Sequence, residues 1–137
     1  MITDANGVPL VVGTTPANVR DEQPAIELLR SIPPIRGPRG RPRCKPKAFM
    51  GDRGYGFPWV IAAVMAMHIL SLLAPRGAEH GSGLGRQRYV VERTLSWFGN
   101  YRRLKLCYEK TGIHFQAFHD LAATLICFGI TARSGES

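Results

Sequence analysis

The sequence predicts an α/β fold, because short β-prone runs alternate with helical patterns along its 137 residues. The length suits a single domain. A composition of 45% hydrophobic and 20% charged residues is typical of a globular chain rather than a disordered one. The predicted order of elements is a hairpin, a helix, a strand, a helix, a strand and two further helices.

The first elements are predicted by turn and cap signals. Two β-prone runs within residues 1–16 flank Asn6 and Gly7, a dipeptide that is typical of tight hairpin turns. The run "DEQPAIELLRSI" predicts a helix over residues 22–31, with Asp21 as its cap.

The most apolar segment is "FPWVIAAVMAMHILSLLA" at residues 57–74, whose length is at the lower limit for a membrane-spanning helix. Pro58 opens the segment and His68 interrupts it. We therefore predict a buried helix at residues 58–67 and a buried strand at 69–73, with no membrane contact. A small membrane protein built on this segment is kept as an alternative.

Two loops and two helices account for most of the remaining chain. Residues 33–47 are rich in Pro, Gly and cations, which predicts an exposed and poorly ordered basic loop. Residues 75–86 form a Gly-rich loop. A long helix is predicted at about residues 86–105 and another at about 115–128, where apolar residues recur at helical spacing.

The net charge indicates which kind of binding partner to expect, and the cysteines indicate the cellular compartment. The net charge is +8 and the pI is about 10.0, which favours a polyanion, with nucleic acid ahead of an anionic membrane surface. Cys44, Cys107 and Cys127 are widely spaced and form no Cys-x-x-Cys pair, so we expect free thiols in a reducing cytoplasm. The histidines do not complete a zinc-binding spacing with them.

The stretch at residues 86–106 places one carboxylate, Glu92, among arginines and aromatic rings. On a helix, Arg88 lies one turn before Glu92, and Arg103 lies further along the same stripe. Ordinary ion pairs of about 0.2–0.5 kcal/mol on a solvated helix would explain this pattern. Asp52, however, ends the predicted strand "AFMGD" just before a turn, where a carboxylate is well placed to bind a divalent metal. Together the two carboxylates suggest a metal pair for phosphoryl transfer.

The segments "TDANGVPLVVGTTPANVRD", "GDRGYG" and "GSGLGRQRYVVERTLSWFGNYRRLKLCYEK" resemble the DDE transposases of bacterial insertion sequences. The match covers nearly the whole chain in order. It implies an RNase H-like fold, a mixed sheet flanked by helices. It also implies that Asp52 is the second metal-binding aspartate, that Glu92 is the metal-binding glutamate and that Arg88 contacts DNA. The implied cofactor is Mg²⁺ or Mn²⁺ in a two-metal site.

The sequence departs from the family pattern in two places. The family's strand with the first catalytic aspartate precedes the hairpin, so we expect an incomplete fold whose first strand is missing. Asp4 and Asp21 match later family elements and are not replacements. A related family signature also has a tyrosine and a cation where this chain has Gly85 and Gly99.

Arginines on the long helix and in the basic loop are the candidate DNA ligands. The predicted DNA-binding residues are Arg88, Arg93, Arg102, Arg103, Arg39, Arg41 and Arg43. In the loop we expect sequence-independent contacts with phosphates. Arg102 and Arg103 would supply the positive charge that Gly99 lacks.

These observations predict that residues 1–137 form part of a DDE transposase catalytic domain. The complete protein would cleave and transfer DNA strands at element ends and target DNA in a metal-dependent reaction, and this chain alone would be inactive. Whether it is a second-frame product or a decayed copy, and whether it forms a homo-oligomer, stays open. The alternative is a non-catalytic DNA-binding remnant that inhibits an intact transposase.

Overall fold

The computed structural model describes residues 1–37, 39–77 and 85–134, with residues 85–88 and 134 as backbone only. Helices and small sheets are mixed, which confirms the α/β class at a coarse level. Clustering of contacts divides the chain into two compact units, Met1–Pro16 with Tyr89–Ser137 (unit 1) and Ala17–Arg88 (unit 2). The strands are β1 (Ile2–Thr3), β2 (Pro9–Val11), β3 (Ala48–Phe49) and β4 (Leu70–Ser71). The helices are α1 (Ala25–Arg30), α2 (Pro58–Ala66), α3 (Gly85–Phe98), α4 (Arg102–Lys105) and α5 (Gly112–Ser134).

Unit 1 begins with the predicted hairpin, in which β1 pairs with β2 in antiparallel orientation. Asp4 Oδ1 accepts hydrogen bonds from the backbone N–H groups of Asn6 (2.9 Å) and Val8 (2.8 Å), which closes the turn. Gly7 has φ of +85°, a conformation that favours glycine. The hairpin prediction from these residues is confirmed.

The single long helix predicted at residues 86–105 is wrong, because the chain leaves the helix after Phe98. Gly99 N–H still bonds to the Leu95 carbonyl, but Tyr101 is extended (φ −87°, ψ 110°) and α4 begins a separate turn. Glycine and asparagine have low helix propensity, so little helix stability is lost when α3 ends at Gly99–Asn100. One consequence is that Arg103 does not share a helix with Glu92.

The core of unit 1 forms where Phe98, the last residue of α3, packs on α5, a helix longer than the one predicted at 115–128. Phe98, Ala122 and Ile126 are buried together. The half-buried residues packed against them are Met1, Val12, Trp97, Tyr101, Leu104, Ala123 and Ile130.

Unit 2 places β3 parallel to β4, with Ala48 opposite Leu70. Its helix α1 starts later than predicted, and Asp21 is not its cap. Residues 21–24 form a turn instead, so the N-cap position falls on Pro24, which makes no side-chain cap bond. The buried apolar side chains of this unit are Ala25, Ile26, Leu29, Ile32, Phe49, Val60, Val64, Ile69 and Leu73.

In the apolar segment 57–74 a strand follows a helix, as predicted, but the prediction of a buried strand at 69–73 is wrong, because β4 has two residues and Leu70 is 62% exposed. The helix is the short α2. Nine residues rise about 13 Å, well under the 30 Å of a bilayer core. The helix is only partly buried, since Trp59 is 45% and Met65 is 61% exposed. Within the described residues, one helix, Gly112–Arg133, is long and apolar enough to span a membrane by those two criteria.

The basic loop at residues 33–47 is exposed, as expected, but two hydrogen bonds join its arms. Ile35 N–H donates to the Arg43 carbonyl (2.9 Å), and Arg43 N–H donates to the Ile35 carbonyl (2.8 Å). Lys45 Nζ donates to the Met67 carbonyl (2.9 Å) just after α2. Most of the predicted Gly-rich loop at 75–86 lies outside the described residues.

Candidate metal centre and nucleic-acid interface

Asp52 lies three residues beyond β3 and caps a single 3₁₀ turn, Arg53–Tyr55. Its Oδ1 accepts a hydrogen bond from Gly54 N–H (2.8 Å), and the side chain is exposed. Aspartate favours this position because its short carboxylate reaches the backbone N–H two residues on. One oxygen is thereby held by the backbone, and the residue is exposed to solvent.

The glycines of "GDRGYG" fit this turn closely against the segment after β4. A Cβ at Gly56 would overlap the Ala74 carbonyl oxygen, and one at Gly51 would lie 3.0 Å from the Leu73 side chain. Tyr55 between them is half-buried, and burial raises its pKa, with further contributions from Asp21, Asp52 and Glu22. Close packing around the turn therefore sets the direction in which the Asp52 carboxylate points.

Glu92 lies in the middle of α3 and is exposed to solvent. Thr94, two residues later, is fully buried and its hydroxyl lies 2.7 Å from the Gly7 carbonyl oxygen and 3.1 Å from that of Val90. Successive helical positions differ by about 100°, which separates the two side chains onto different faces. The side chain of Arg88, the ion-pair partner predicted for Glu92, lies outside the described residues.

Arg93, predicted to bind DNA, has structural contacts within unit 1. Its Nη2 donates to the Asn6 carbonyl at 2.6 Å, and its guanidinium lies 5.9 Å from the Tyr89 ring and 5.2 Å from the Trp97 ring. These contacts hold the hairpin turn against α3. DNA contact by Arg93 stays a prediction, but the guanidinium already has a structural role.

The other predicted DNA ligands are exposed wherever their side chains are described. Arg102 is exposed at the first residue of α4. Arg103 is also exposed and forms a 2.9 Å salt bridge with Glu109, while its guanidinium lies 4.8 Å from the Phe118 ring. The three loop arginines are exposed as well: Arg39, Arg41 and Arg43.

The two candidate metal ligands belong to different units, Asp52 to unit 2 and Glu92 to unit 1. Each is an exposed carboxylate in its own unit, and their joint role stays a prediction. Among the described residues, no group of three or more His, Cys, Asp or Glu side chains could hold a metal ion.

Several structural contacts were missed by the sequence analysis. Gln116 in α5 joins the end of the hairpin: its Oε1 accepts from Thr14 N–H (2.8 Å), and its Nε2 donates to the Val12 carbonyl (3.0 Å). Thr94 likewise reaches Gly7 across 87 positions. No local pattern signals such pairings, because they depend on which helix packs beside the hairpin.

Residues 1–127 match the family model described as "Transposase DDE domain". The chain belongs to this family, the insertion-sequence DDE transposases. This confirms the resemblance inferred from the "GDRGYG" and "VVERTLSW" motifs. DDE transposases as a family act in DNA transposition, with DNA as their partner and a divalent metal ion as their cofactor.

A curated relative shows the similarity over the full chain. All 137 residues align at 42% identity with the "Putative transposase for insertion sequence element IS402" of Burkholderia cepacia. The chain spans 65% of the length of that relative. No solved structure gives a significant match.

Proposed function

We propose that Asp52 and Glu92 are two metal ligands of an RNase H-like centre that cleaves and transfers DNA strands during transposition. One observation carries this proposal: both family-motif carboxylates are exposed, while neighbouring residues of each motif make structural contacts. In the "ERT" segment, Arg93 and Thr94 hold the hairpin turn, which leaves Glu92 without a structural task among the described residues.

The chemistry suits the residues present. Magnesium is usually bound through one or two carboxylates together with phosphate oxygens, and Mn²⁺ takes similar oxygen ligands. A metal pair stabilises both the attacking and the leaving oxygen of a phosphoryl transfer. The role of Asp52 is to present an oriented carboxylate, and that of Glu92 is to present a second one from a helix. Exposed arginines such as Arg102 would hold the flanking phosphates of double-stranded DNA.

The complete centre of the family uses three carboxylates, and two positions of this chain match them. We therefore infer that cleavage of DNA requires a third carboxylate in addition to Asp52 and Glu92. The reaction would take place in the cytoplasm, on element ends and target DNA.

A second candidate is a DNA-binding protein without catalytic activity, which would compete with an intact transposase for element ends. The net charge of +8 favours it, because a strongly basic chain can bind DNA without catalysing any reaction on it. The two candidates differ in whether Asp52 and Glu92 bind metal.

Manganese binding, followed by electron paramagnetic resonance of Mn²⁺ in the presence of duplex DNA, tests the proposal directly. Asp52→Asn and Glu92→Gln should each weaken binding by about tenfold or more, the loss typical when a metal ligand or its support is removed. Glu109→Gln is the matched control, because Glu109 is an acidic residue paired with Arg103. Equal Mn²⁺ affinity in all three variants would refute the metal-ligand assignment.

A cleavage assay with DNA carrying the ends of the element completes the test. Residues 1–137 are compared with a protein extended upstream through the first family aspartate. Cleavage by the extended protein alone, abolished by Glu92→Gln, is the expected result. Cleavage by residues 1–137 that Glu92→Gln abolishes would show that the third carboxylate is not needed.

A further inference from the structure

The basic loop has a composition that general phosphate binding does not require. No acidic residue lies between Glu27 and Asp52. Within that span, residues 39–43 read Arg-Gly-Arg-Pro-Arg, and all five are exposed. The lysines of the loop, Lys45 and Lys47, lie nearer its base, and Lys45 bonds to the Met67 carbonyl. The outermost positive charges are therefore guanidinium groups.

The arms of the loop are fixed at its base. The paired hydrogen bonds between Ile35 and Arg43 close a loop whose arginine side chains extend into solvent. A protein loop that is held at both ends loses less conformational entropy on binding DNA than a free tail does. The fixed base therefore favours a defined contact over a diffuse one.

Gly40 separates two arginines at the outer end of the loop. Its φ is +94°, and a Cβ at this position would meet no other atom within 4 Å. Packing within the protein does not demand glycine here, although the backbone conformation favours it. The absence of a side chain also lets the backbone come close to a ligand. Pro42 restricts Arg41 to extended conformations, which favours side chains that diverge on either side of Gly40.

The minor groove of A·T-rich DNA suits this arrangement. The groove is only about 6 Å wide, and A·T pairs present acceptors alone, adenine N3 and thymine O2. Arginine has donors and no acceptor, so it matches those edges. A G·C pair adds the guanine N2 amino donor, which opposes a guanidinium. A-tracts are also narrower and more negative, which attracts inserted arginines.

We propose that residues 39–43 bind the minor groove of DNA and prefer A·T-rich sequence, with Arg39 and Arg41 on the base edges. This inference rests on the proposed function only in taking DNA as the partner. It replaces the expectation of purely sequence-independent phosphate contacts for these two arginines. The preference would direct the protein toward A·T-rich DNA near element ends or targets.

The test measures the affinity of the full chain for three duplexes of equal length by fluorescence anisotropy at one fixed salt concentration. Their central base pairs are A·T, G·C or inosine·cytosine. Inosine lacks the N2 amino group, so an inosine·cytosine pair has the minor-groove pattern of A·T and the major-groove pattern of G·C. Binding to A·T and inosine·cytosine should agree within about twofold, and binding to G·C should be roughly five- to tenfold weaker.

Charge-conserving variants assign the effect to the proposed residues. The double variant Arg39→Lys/Arg41→Lys should lose the preference while retaining most of its affinity, because lysine keeps the charge but not the planar fork of donors. The matched control, Arg30→Lys/Arg36→Lys, changes two exposed arginines outside residues 39–43 and should keep the preference.

Each contrary outcome has a separate meaning. Equal affinity for all three duplexes, or grouping of inosine·cytosine with G·C, would overturn minor-groove binding while leaving DNA as the partner. No binding to any duplex would overturn both this inference and DNA binding by the chain. Unchanged Mn²⁺ binding in Glu92→Gln would overturn the metal centre alone, so the two proposals fail independently.

Discussion

Replacing Thr94 with valine should destabilise unit 1 by removing one buried hydroxyl. Valine has nearly the same shape, so packing is retained, but the buried Gly7 carbonyl loses the donor that now lies 2.7 Å away. A buried acceptor left without a partner costs about 1–3 kcal/mol. The hydroxyl has one proton to donate, and the shorter of its two contacts is the one to Gly7. We therefore expect the loss to fall on the hairpin turn.

The matched variant is Thr94→Ser, which keeps the hydroxyl and removes one methyl group. Its expected cost is about 0.8 kcal/mol, the value of one buried methylene-sized group. The order of stability should be wild type, then serine, then valine. If only packing mattered, the valine variant would be more stable than the serine variant, because valine fills the site and serine leaves a gap.

Urea unfolding followed by tryptophan fluorescence measures this difference locally. The two tryptophans lie in different units, Trp59 in unit 2 and Trp97 in unit 1. Trp59 is 45% exposed, so Trp59→Phe is a mild background change that leaves Trp97 as the reporter of unit 1. A Thr94→Val protein as stable as Thr94→Ser, or more stable, would refute the role assigned to the hydroxyl.

The remaining predictions concern two glycines, one cysteine and Tyr55. Gly56→Ala should prevent unit 2 from folding stably, because the new Cβ would overlap the Ala74 carbonyl oxygen. Gly129→Ala lies inside α5 with open space at the Cβ position, so it should stabilise unit 1 by about 0.5–1 kcal/mol in the same urea experiment. Cys127, whose thiol pKa is raised by burial and then by Asp4, should react with a disulfide reagent at pH 8 at least about tenfold more slowly than the two exposed cysteines. The pKa of the Tyr55 phenol is raised above its usual value of 10.0, so the folded protein holds this proton at pH values where the unfolded chain has lost it. The free energy of unfolding should therefore fall as the pH rises above 10. In Tyr55→Phe this fall should be less steep. Equal reactivity of all the thiols, or identical alkaline unfolding of the Phe variant, would contradict the last two.

The local parts of the fold could be predicted from the sequence, because their causes are local. Asn6 and Gly7 specify a tight turn, and the hairpin is present. Pro58 opens α2 as predicted, since proline suits the first turn of a helix. The break after Phe98 was also visible in the Gly99–Asn100 pair, but the stripe of charges along residues 86–105 suggested a continuous helix.

The candidate site could be predicted only in part. Asp52 and Glu92 were found because a family motif surrounds each of them. The hydrogen bonds of Thr94 and Gln116 could not be predicted, because their partners lie 87 and 102 or more positions away in the chain. An arginine in a basic stretch suggests a DNA ligand, and sequence alone does not reveal that Arg93 is bonded to a hairpin turn.

Of three consecutive residues, Glu92 faces solvent, whereas Arg93 and the buried Thr94 both bond to the hairpin turn. A genetic screen that scores protein abundance separately from DNA rearrangement would therefore divide adjacent codons into different classes. Substitutions at codon 94 would lower the amount of protein, and rearrangement would fall in proportion. Substitutions at codon 92 would leave the amount unchanged and affect rearrangement alone. Conservation of the whole triplet would thus record two unrelated kinds of selection acting on one turn of helix.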